Sequence, residues 1–222
     1  MKKISLLAVL VMPAFFFTGC KKSSGNSPVA PSSADSYLPV TAGSSWDYYA
    51  QVAGYTDTIS IKMTGSTTRI NGADFFTATG VSHFNKTIVE NFYEANHLYV
   101  ERYTIGGDIY ATNIDVVLLN DSLAVGHSFT AAVTTIGGVD VPLMRIINTT
   151  VEKNITKVVG GQSFSGVIHT RVDLQYNTGS GFETNSIYDY FMAKGIGIIE
   201  MDSSVPGGAV DETQTIMNYT VK

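Results

Sequence analysis

The chain has 222 residues, of which 44% are hydrophobic and 11% aromatic, and its formal net charge is −5. This acidic balance, without a lysine- and arginine-rich stripe, argues against nucleic acid as a partner. The single cysteine excludes a disulfide framework and a cysteine-based zinc site, so a hydrophobic core has to hold the fold.

The N-terminal segment has the pattern of an export signal. Two lysines precede an apolar run that is too short for a spanning helix, which needs about 20 residues. The run ends at Phe17-Thr18-Gly19-Cys20, which resembles the lipobox of a bacterial lipoprotein signal peptide. The resemblance implies that residues 1–19 are removed and that Cys20 carries lipid.

Acyl chains on Cys20 are expected to hold the protein on a membrane of the bacterial cell envelope. Lys21-Lys22 follows the cysteine where an aspartate is associated with retention in the inner membrane, which favours the outer membrane; its periplasmic and surface faces both stay open. Residues 20–36 are rich in Ser, Pro and Gly, and this composition predicts a disordered tether.

Residues 37–222 have a hydrophobic period of two, which predicts a single all-β domain. Ile59, Ile61 and Met63, for example, alternate with polar residues. Strands are predicted near residues 46–53, 57–66, 73–82, 87–95, 97–105, 108–118, 129–136, 139–155, 163–177, 182–192, 196–202 and 212–221.

Glycine-containing turn signals recur between these runs and predict the hairpins of an antiparallel meander. They are Asn71-Gly72, Gly106-Gly107, Gly137-Gly138, Gly160-Gly161, Gly179-Ser180-Gly181 and Pro206-Gly207-Gly208. A weak internal echo accompanies them. The segments Gly43 to Trp46 and Gly126 to Phe129 match, and so do Asn71-Gly72 and Gly160-Gly161 with the Phe that follows each. A duplicated half-sheet and a coincidence both fit this echo.

Residues 39–48, PVTAGSSWDY, and residues 190–199, YFMAKGIGII, resemble a pair of segments in uncharacterised exported lipoproteins of Bacteroidota. Their patterns are P-x3-G-x2-W-x-Y and Y-x2-A-x-G-[IV]-G-x-[IV]. The resemblance implies a strongly curved antiparallel meander or open barrel, similar in shape to lipocalins and periplasmic lipoprotein carriers. It implies no catalytic residue.

Two kinds of residue in these segments have physical roles of their own. Trp46, the only tryptophan, is expected to pack the start of the first strand against the core, with a ligand platform as the alternative. Gly195 and Gly197 predict a sharp bend or a close backbone approach, with a ligand lying over them as the alternative.

No pattern of catalytic or metal-binding residues occurs in the chain. The histidines His83, His97, His127 and His169 have no metal or catalytic spacing, and the acids Asp115, Asp121, Glu183 and Asp211-Glu212 are scattered at strand ends or turns. The sequence therefore predicts no catalytic residue, no metal and no cofactor. A hydrolase stays open as an alternative, which would be favoured if a histidine such as His169 lay with two acids in one cleft.

Two short motifs, Asp57-Thr58-Ile59 and Asp121-Ser122-Leu123, resemble the sites that Bacteroidota glycosylate in exported proteins. An ordinary strand start or an Asx turn is the favoured explanation of both, with glycosylation as the alternative.

These features predict a non-catalytic binding module for an apolar or amphipathic ligand or for a partner protein of the envelope. Aromatic residues are the candidates for a ligand lining, with a solid core as the alternative. They are Phe75, Phe92, Tyr99, Tyr103, Tyr188 and Tyr190. A surface lipoprotein that binds glycans or mediates adhesion is the second hypothesis, and a hydrolase on an unfamiliar β scaffold is the third.

Overall fold

The computed structural model describes residues 34–83, 87–105, 112–134 and 143–222. The lipobox with Cys20 and the turns Gly106-Gly107 and Gly137-Gly138 lie outside the described residues. Within those ranges the chain forms twelve strands, and no helix there is long and apolar enough to cross a membrane. The strands are β1 Ser45–Val52, β2 Tyr55–Ile70, β3 Ala73–Val81, β4 Ile88–Ala95, β5 Leu98–Ile105, β6 Thr112–Asn120, β7 Ser128–Thr134, β8 Met144–Val159, β9 Gln162–Asn177, β10 Phe182–Ala193, β11 Gly197–Ser204 and β12 Val210–Thr220.

All twelve strands belong to one antiparallel sheet, in the order β6-β5-β4-β3-β2-β1-β12-β11-β10-β9-β8-β7. Strands that follow each other in the chain are paired, except β6 and β7, which are the two edges of the sheet. The first and last strands, β1 and β12, pair with each other. The predicted curved meander with an open-barrel shape is confirmed. Its two six-stranded halves, β1 to β6 and β7 to β12, meet at the β1–β12 pair.

Hairpins and bulges determine the strand lengths. Asn71-Gly72 and Gly160-Gly161 have positive φ at both residues, as tight hairpins of type I′ require, so these two predicted turns are confirmed. β2, β8 and β9 have 16 residues each. β2 is longer than predicted because its pairing with β3 continues across a bulge that contains Gly65, whose φ is +82°.

The core lies on the inner face of the curved sheet, and the β6 edge closes against it. Leu118 of β6 is fully buried. The Asn148 side-chain amide of β8 donates to the carbonyl oxygens of Val117 and Leu118, at 2.9 and 3.2 Å, and the Thr170 hydroxyl of β9 donates to the Leu118 carbonyl at 2.5 Å. Side chains of β8 and β9 thus satisfy edge carbonyls of β6, although β6 is not paired with β7.

A smaller apolar cluster lies on the other side of the sheet from the main core, on strands β3, β5 and β6. Phe75, Val100 and Val117 are buried there. The Arg102 guanidinium stands 4.9 Å from the centre of the Phe75 ring and forms a bidentate pair with Asp115. Part of this half of the sheet is therefore buried on both faces.

Residues 36–40, which we call the N-terminal strap, close one end of the barrel. The Ser36 hydroxyl donates to Glu94 Oε2 at 2.8 Å, and the Ser36 carbonyl accepts from the Gly195 amide at 2.7 Å. The Tyr37 hydroxyl donates to the Gly166 carbonyl at 3.2 Å, and its ring packs edge-on against Tyr99. The strap thus joins β4, β5, β9 and the β10–β11 turn at the end where β1 begins.

Candidate functional site

The inner face of the barrel encloses a cavity of about 150 Å³ next to the strap, which we call the central cavity. Its walls are mainly apolar and include Ile61, Met63, Phe92 and Met201. The core is therefore not solid at this place, and a small apolar group has room beside it.

Two further cavities lie next to the central cavity and share lining residues with it. A side cavity of about 320 Å³ shares Tyr190 and Met201 with the central cavity, and a rim cavity of about 440 Å³ shares Ile59 and Ile88 with it. Gln214 lines all three. Gln214 thus stands on the wall of all three cavities, and the rim cavity reaches the β1–β2 hairpin at the end opposite the strap.

Two carboxylates lie on the wall of the central cavity, Glu90 on β4 and Glu101 on β5. Glu101 pairs in register with Phe92, which follows Glu90 by two residues on the same face, so the two acids are diagonal neighbours. Glu101 is only 3% exposed. Burial raises the pKa of Glu90 to about 7, because the cavity wall replaces the water that would stabilise its charge.

The segments that carry the sequence resemblance meet at this cavity. The Trp46 indole N–H donates to the Ile196 carbonyl at 2.7 Å, and the Tyr48 hydroxyl donates to the Ile198 carbonyl at 3.1 Å. Burial, and then the charges of Glu90 and Glu101, raise the pKa of Tyr48, so its phenol stays protonated.

Trp46 has the packing role predicted for it, and both Trp46 and Gly197 line the central cavity. Trp46 is 6% exposed and belongs to the main core. Gly197 has a φ of +109°, and a Cβ added there would stand 3.5 Å from both the Trp46 indole nitrogen and Pro39 Cδ. These are ordinary van der Waals distances, so the positive φ accounts for the glycine here, and the sharp bend or close backbone approach predicted at Gly195 and Gly197 stays a prediction.

A third carboxylate, the half-buried Glu94, faces the strap. Burial raises its pKa to about 7 against the opposing effect of the Ser36 hydrogen bond, and the charge of Asp121 adds to the rise. Asp121 accepts a 3.0 Å hydrogen bond from the Tyr99 hydroxyl and lies 2.5 Å from His97 Nδ1. This cluster belongs to the closed end of the barrel rather than to the central cavity.

The predicted lining residues occupy several positions. Phe92 and Tyr190 line the central cavity, and Tyr188 joins Tyr190 in the side cavity. Tyr99 is buried beside the strap, and Tyr103 lies in β5 with its side chain outside the described part of the chain. Contact of these residues with a ligand stays a prediction.

Phe75 is differently placed from the other predicted lining residues. It lies in the apolar cluster on the opposite face, whereas the next residue, Phe76, faces the main core. Successive side chains of a strand point to opposite faces, so only one of these two phenylalanines can face the interior. Phe75 therefore does not line the three cavities.

His169 lies with two acids, but on the sheet face opposite the cavities. Its Nε2 stands 2.8 Å from Asp189 Oδ1, its Nδ1 stands 3.3 Å from Glu152 Oε2, and its ring stacks on Phe191 at 4.2 Å. No group of three or more His, Cys, Asp or Glu side chains in the described ranges could hold a metal ion. The geometry around His169 is that of a charge network on a sheet surface.

The sequence interpretation missed the Glu90 and Glu101 pair. Its signal was the alternation of each strand, because Glu90, Phe92 and Glu94 must share one face of β4, and Tyr99 and Glu101 one face of β5. Phe92 and Tyr99 were predicted to line the interior, and the same alternation places Glu90 on the face of Phe92 and Glu101 on the face of Tyr99.

Known proteins with a similar sequence or fold agree with this architecture. Residues 14–141 match a family model described as "Putative Ice-binding-like adhesive domain". The chain belongs to this adhesive-domain family. The matched residues include Trp46, Glu90 and Glu101, so the acid side of the central cavity lies within the adhesive-domain segment. No curated protein sequence matches the chain.

Two solved structures resemble the fold of this adhesive-domain protein. One is a "putative exported protein with YmcC-like fold" from Bacteroides fragilis, with a TM-score of 0.50 and 10% identity over 84% of this chain and 99% of that one. The other is a "putative lipoprotein" from Parabacteroides distasonis, with a TM-score of 0.50 and 8% identity over the same shares. At such identities the likeness shows the fold alone. Both organisms belong to the bacterial group to which the sequence resemblance points.

Proposed function

We propose that this adhesive-domain protein is a lipid-anchored, non-catalytic component of the cell envelope that binds an apolar or amphipathic ligand inside its open barrel. The central cavity carries this proposal, because its walls are mainly apolar and it shares lining residues with two further cavities. The lipobox at Cys20 and the fold shared with exported proteins support the location and the anchor.

The position of the strap supports a direction for ligand entry. The strap closes the end of the barrel where the tether joins it, whereas the rim cavity is lined by Val52 and Tyr55 at the opposite end. These side chains are 42% and 70% exposed. An apolar ligand would therefore enter at the rim, away from the anchor.

Filling the interior tests this function. Ile88 lines both the central and the rim cavity, so Ile88→Phe should narrow the passage between them and weaken the binding of a neutral apolar probe, octanol, about tenfold. Trp46, the only tryptophan, lies on the cavity wall, and its fluorescence reports the probe with the full chain held in lipid vesicles. Native mass spectrometry of protein taken from its own envelope would identify the natural ligand.

The neighbouring residue Val89 offers a matched control. Val89→Phe makes the same kind of change on the opposite face of β4, where the side chain is 60% exposed. It should bind octanol as the unchanged protein does. If Ile88→Phe also binds octanol with unchanged affinity, the cavity does not hold the ligand and the proposal is wrong.

Adhesion to a glycan is a second candidate, favoured by the family match and by a groove on the outer side of the sheet. This groove, of about 470 Å³, is lined by Tyr49, Asp57, Thr58 and His83, and Tyr49 is 41% exposed. An exposed tyrosine beside polar side chains suits a sugar ring. Binding to a polysaccharide panel that Tyr49→Ala abolishes and Ile88→Phe leaves unchanged would favour adhesion over uptake of a ligand.

A further inference from the structure

The charged groups on the wall of the interior space all have the same sign. Glu90 and Glu101 line the central cavity, and Glu212 lines both the side and the rim cavity. None of the described residues that line the three cavities is a lysine, arginine or histidine. A ligand in this space therefore meets negative charge and no basic side chain of the described wall.

Glu90 has no partner of its own among the described residues. Its carboxylate forms no hydrogen bond or ion pair there, and burial raises its pKa. A buried carboxylate is normally paired or hydrogen-bonded, because the loss of water is otherwise uncompensated. Glu90 is only partly buried and lines the central cavity, so a ligand there is in position to donate a hydrogen bond to it.

Aromatic side chains surround the same space. Trp46, Tyr48, Phe92 and Tyr190 all line the central cavity together with the two acids. The face of an aromatic ring carries negative charge and attracts a cation, most strongly where water is excluded. Aromatic rings and carboxylates together favour an ammonium group, and the same carboxylates would repel a carboxylate or phosphate.

The remaining space suits an apolar body rather than a bare ion. A hard metal cation such as Ca²⁺ needs about six to eight oxygen ligands, whereas the walls beyond the two acids are Ile61, Met63 and other apolar side chains. The side and rim cavities lie next to the central cavity, and Gln214 lines all three. The shape and chemistry therefore fit a molecule with a charged end and an apolar chain.

We propose, building on the ligand-binding function above, that the ligand is an amphipathic amine. Its ammonium group lies between Glu90 and Glu101, and its apolar chain extends past Gln214 toward the side or rim cavity.

Three probes with the same chain and different head groups test this inference: octylamine, octanol and octanoate. Each is titrated into the full chain in lipid vesicles, with Trp46 fluorescence as the readout, since the vesicles themselves contain no tryptophan. Octylamine should bind at least about tenfold more tightly than octanol, and octanoate should bind most weakly, because a hydrogen bond to a charged group contributes a tenfold effect or more.

Removal of one charge gives the decisive comparison. Glu90→Gln keeps the size of the side chain and should weaken the binding of octylamine about tenfold while leaving that of octanol unchanged. Glu152→Gln, on the face opposite the cavities, is the matched control and should change neither. Thermal unfolding verifies that each variant is folded, and Glu101→Gln takes the place of Glu90→Gln if that variant does not fold.

The outcomes separate the two proposals. If octanol or octanoate binds as tightly as octylamine, or if Glu90→Gln leaves the ratio of amine to alcohol affinity unchanged, the amine inference is wrong while the binding function stands. If none of the three probes gives a saturable change in Trp46 fluorescence, the binding function fails and the amine inference fails with it.

Discussion

Glu90 and Glu94 share the inner face of β4 but have different surroundings. Glu90 stands on the central cavity, and Glu94 accepts the hydrogen bond of Ser36 that fastens the strap. Burial is the main cause that raises the pKa of each carboxyl to about 7. Both are therefore partly protonated near neutral pH, unlike an ordinary glutamate.

Because the folded-state pKa of each group lies above the unfolded value of 4.5, both groups favour the folded state more at low pH. That contribution is fully present below pH 4.5 and is lost as the pH rises through about 7. We expect the free energy of unfolding to fall across this window, by up to about 1.4 kcal/mol per pH unit for Glu90 and by less for the more accessible Glu94. Urea denaturation at a series of pH values measures the slope.

Glu90→Gln and Glu94→Gln should each make this pH dependence shallower, since an amide does not titrate. Glu152→Gln controls for the substitution itself, as it replaces an acid on the opposite face. A slope that is the same in all three variants and in the unchanged protein would contradict the assignment of the titration to these two residues.

Alternation places the two acids at the cavity on the same faces as Phe92 and Tyr99, but it does not by itself say which face is the inner one. In Leu98-Tyr99-Val100-Glu101 both faces of β5 carry an apolar residue, because Tyr99 packs in the main core and Val100 in the cluster on the other side. Alternation identifies an inner face only where the opposite face is polar. The core position of Trp46 was predictable because so large an aromatic side chain has few other places in a fold.

At the level of the elements, the edge strand β6 is the least ordinary part of the sheet. An unpaired edge exposes a row of backbone groups that can pair with another chain. Here Asn148 and Thr170 from the inner face of β8 and β9 donate to the carbonyl groups of Val117 and Leu118. Two carbonyl groups of the β6 edge are therefore hydrogen-bonded by side chains of the same molecule.

Thr170→Val should destabilise the protein by about 0.5 to 1.5 kcal/mol, because it removes one of the two donors to the Leu118 carbonyl while it keeps the shape of the side chain. Thr150→Val is the matched control. Thr150 is Thr170's direct partner in register on β8 and is equally buried, but its hydroxyl has no hydrogen-bond partner among the described residues. Its replacement should be neutral or slightly stabilising, and urea denaturation measures both. Equal effects of the two substitutions would show that the β6 edge does not depend on this hydrogen bond.

The strands themselves were largely predictable, since alternation and glycine turns depend on neighbours in the chain. Pairing between β1 and β12, by contrast, joins residues as distant as Ser45 and Thr220, and no local pattern records it. The C-terminal end of β8 was also predicted too early, at residue 155, because Asn154 adopts a φ of +57° and the strand continues through bulges to Val159. The side-chain closure at β6 depends on the complete fold and has no counterpart in a single segment.

The whole molecule consists of two meanders of six strands each. The echo segments noted in the sequence occupy equivalent places in them: the starts of β1 and β7, and the turns β2–β3 and β8–β9. β2 and β8 also have the same length. Duplication of a half-sheet stays a prediction, and these placements are the positions at which it would be tested.

Anchoring of the whole molecule is predicted to depend on Cys20. Cys20→Ser removes the thiol that would carry the lipid, so the variant should fail to incorporate a palmitate analogue and should be lost from the membrane fraction. The strands lie far from this residue in the chain, and circular dichroism of the variant should show the same β spectrum. A Cys20→Ser chain that stays bound to membranes as before would contradict the lipoprotein interpretation.

The strap also determines where mechanical load enters the fold. A pull on the chain before Ser36 reaches β4 through the Ser36 contact with Glu94 and the β10–β11 turn through the amide of Gly195. Tyr37 passes it to β9 through the Gly166 carbonyl. These contacts belong to both six-stranded halves, so tension is shared between them instead of peeling a single strand from one edge. A protein held by its N-terminus can in this way bear force at its base while the opposite rim keeps its shape.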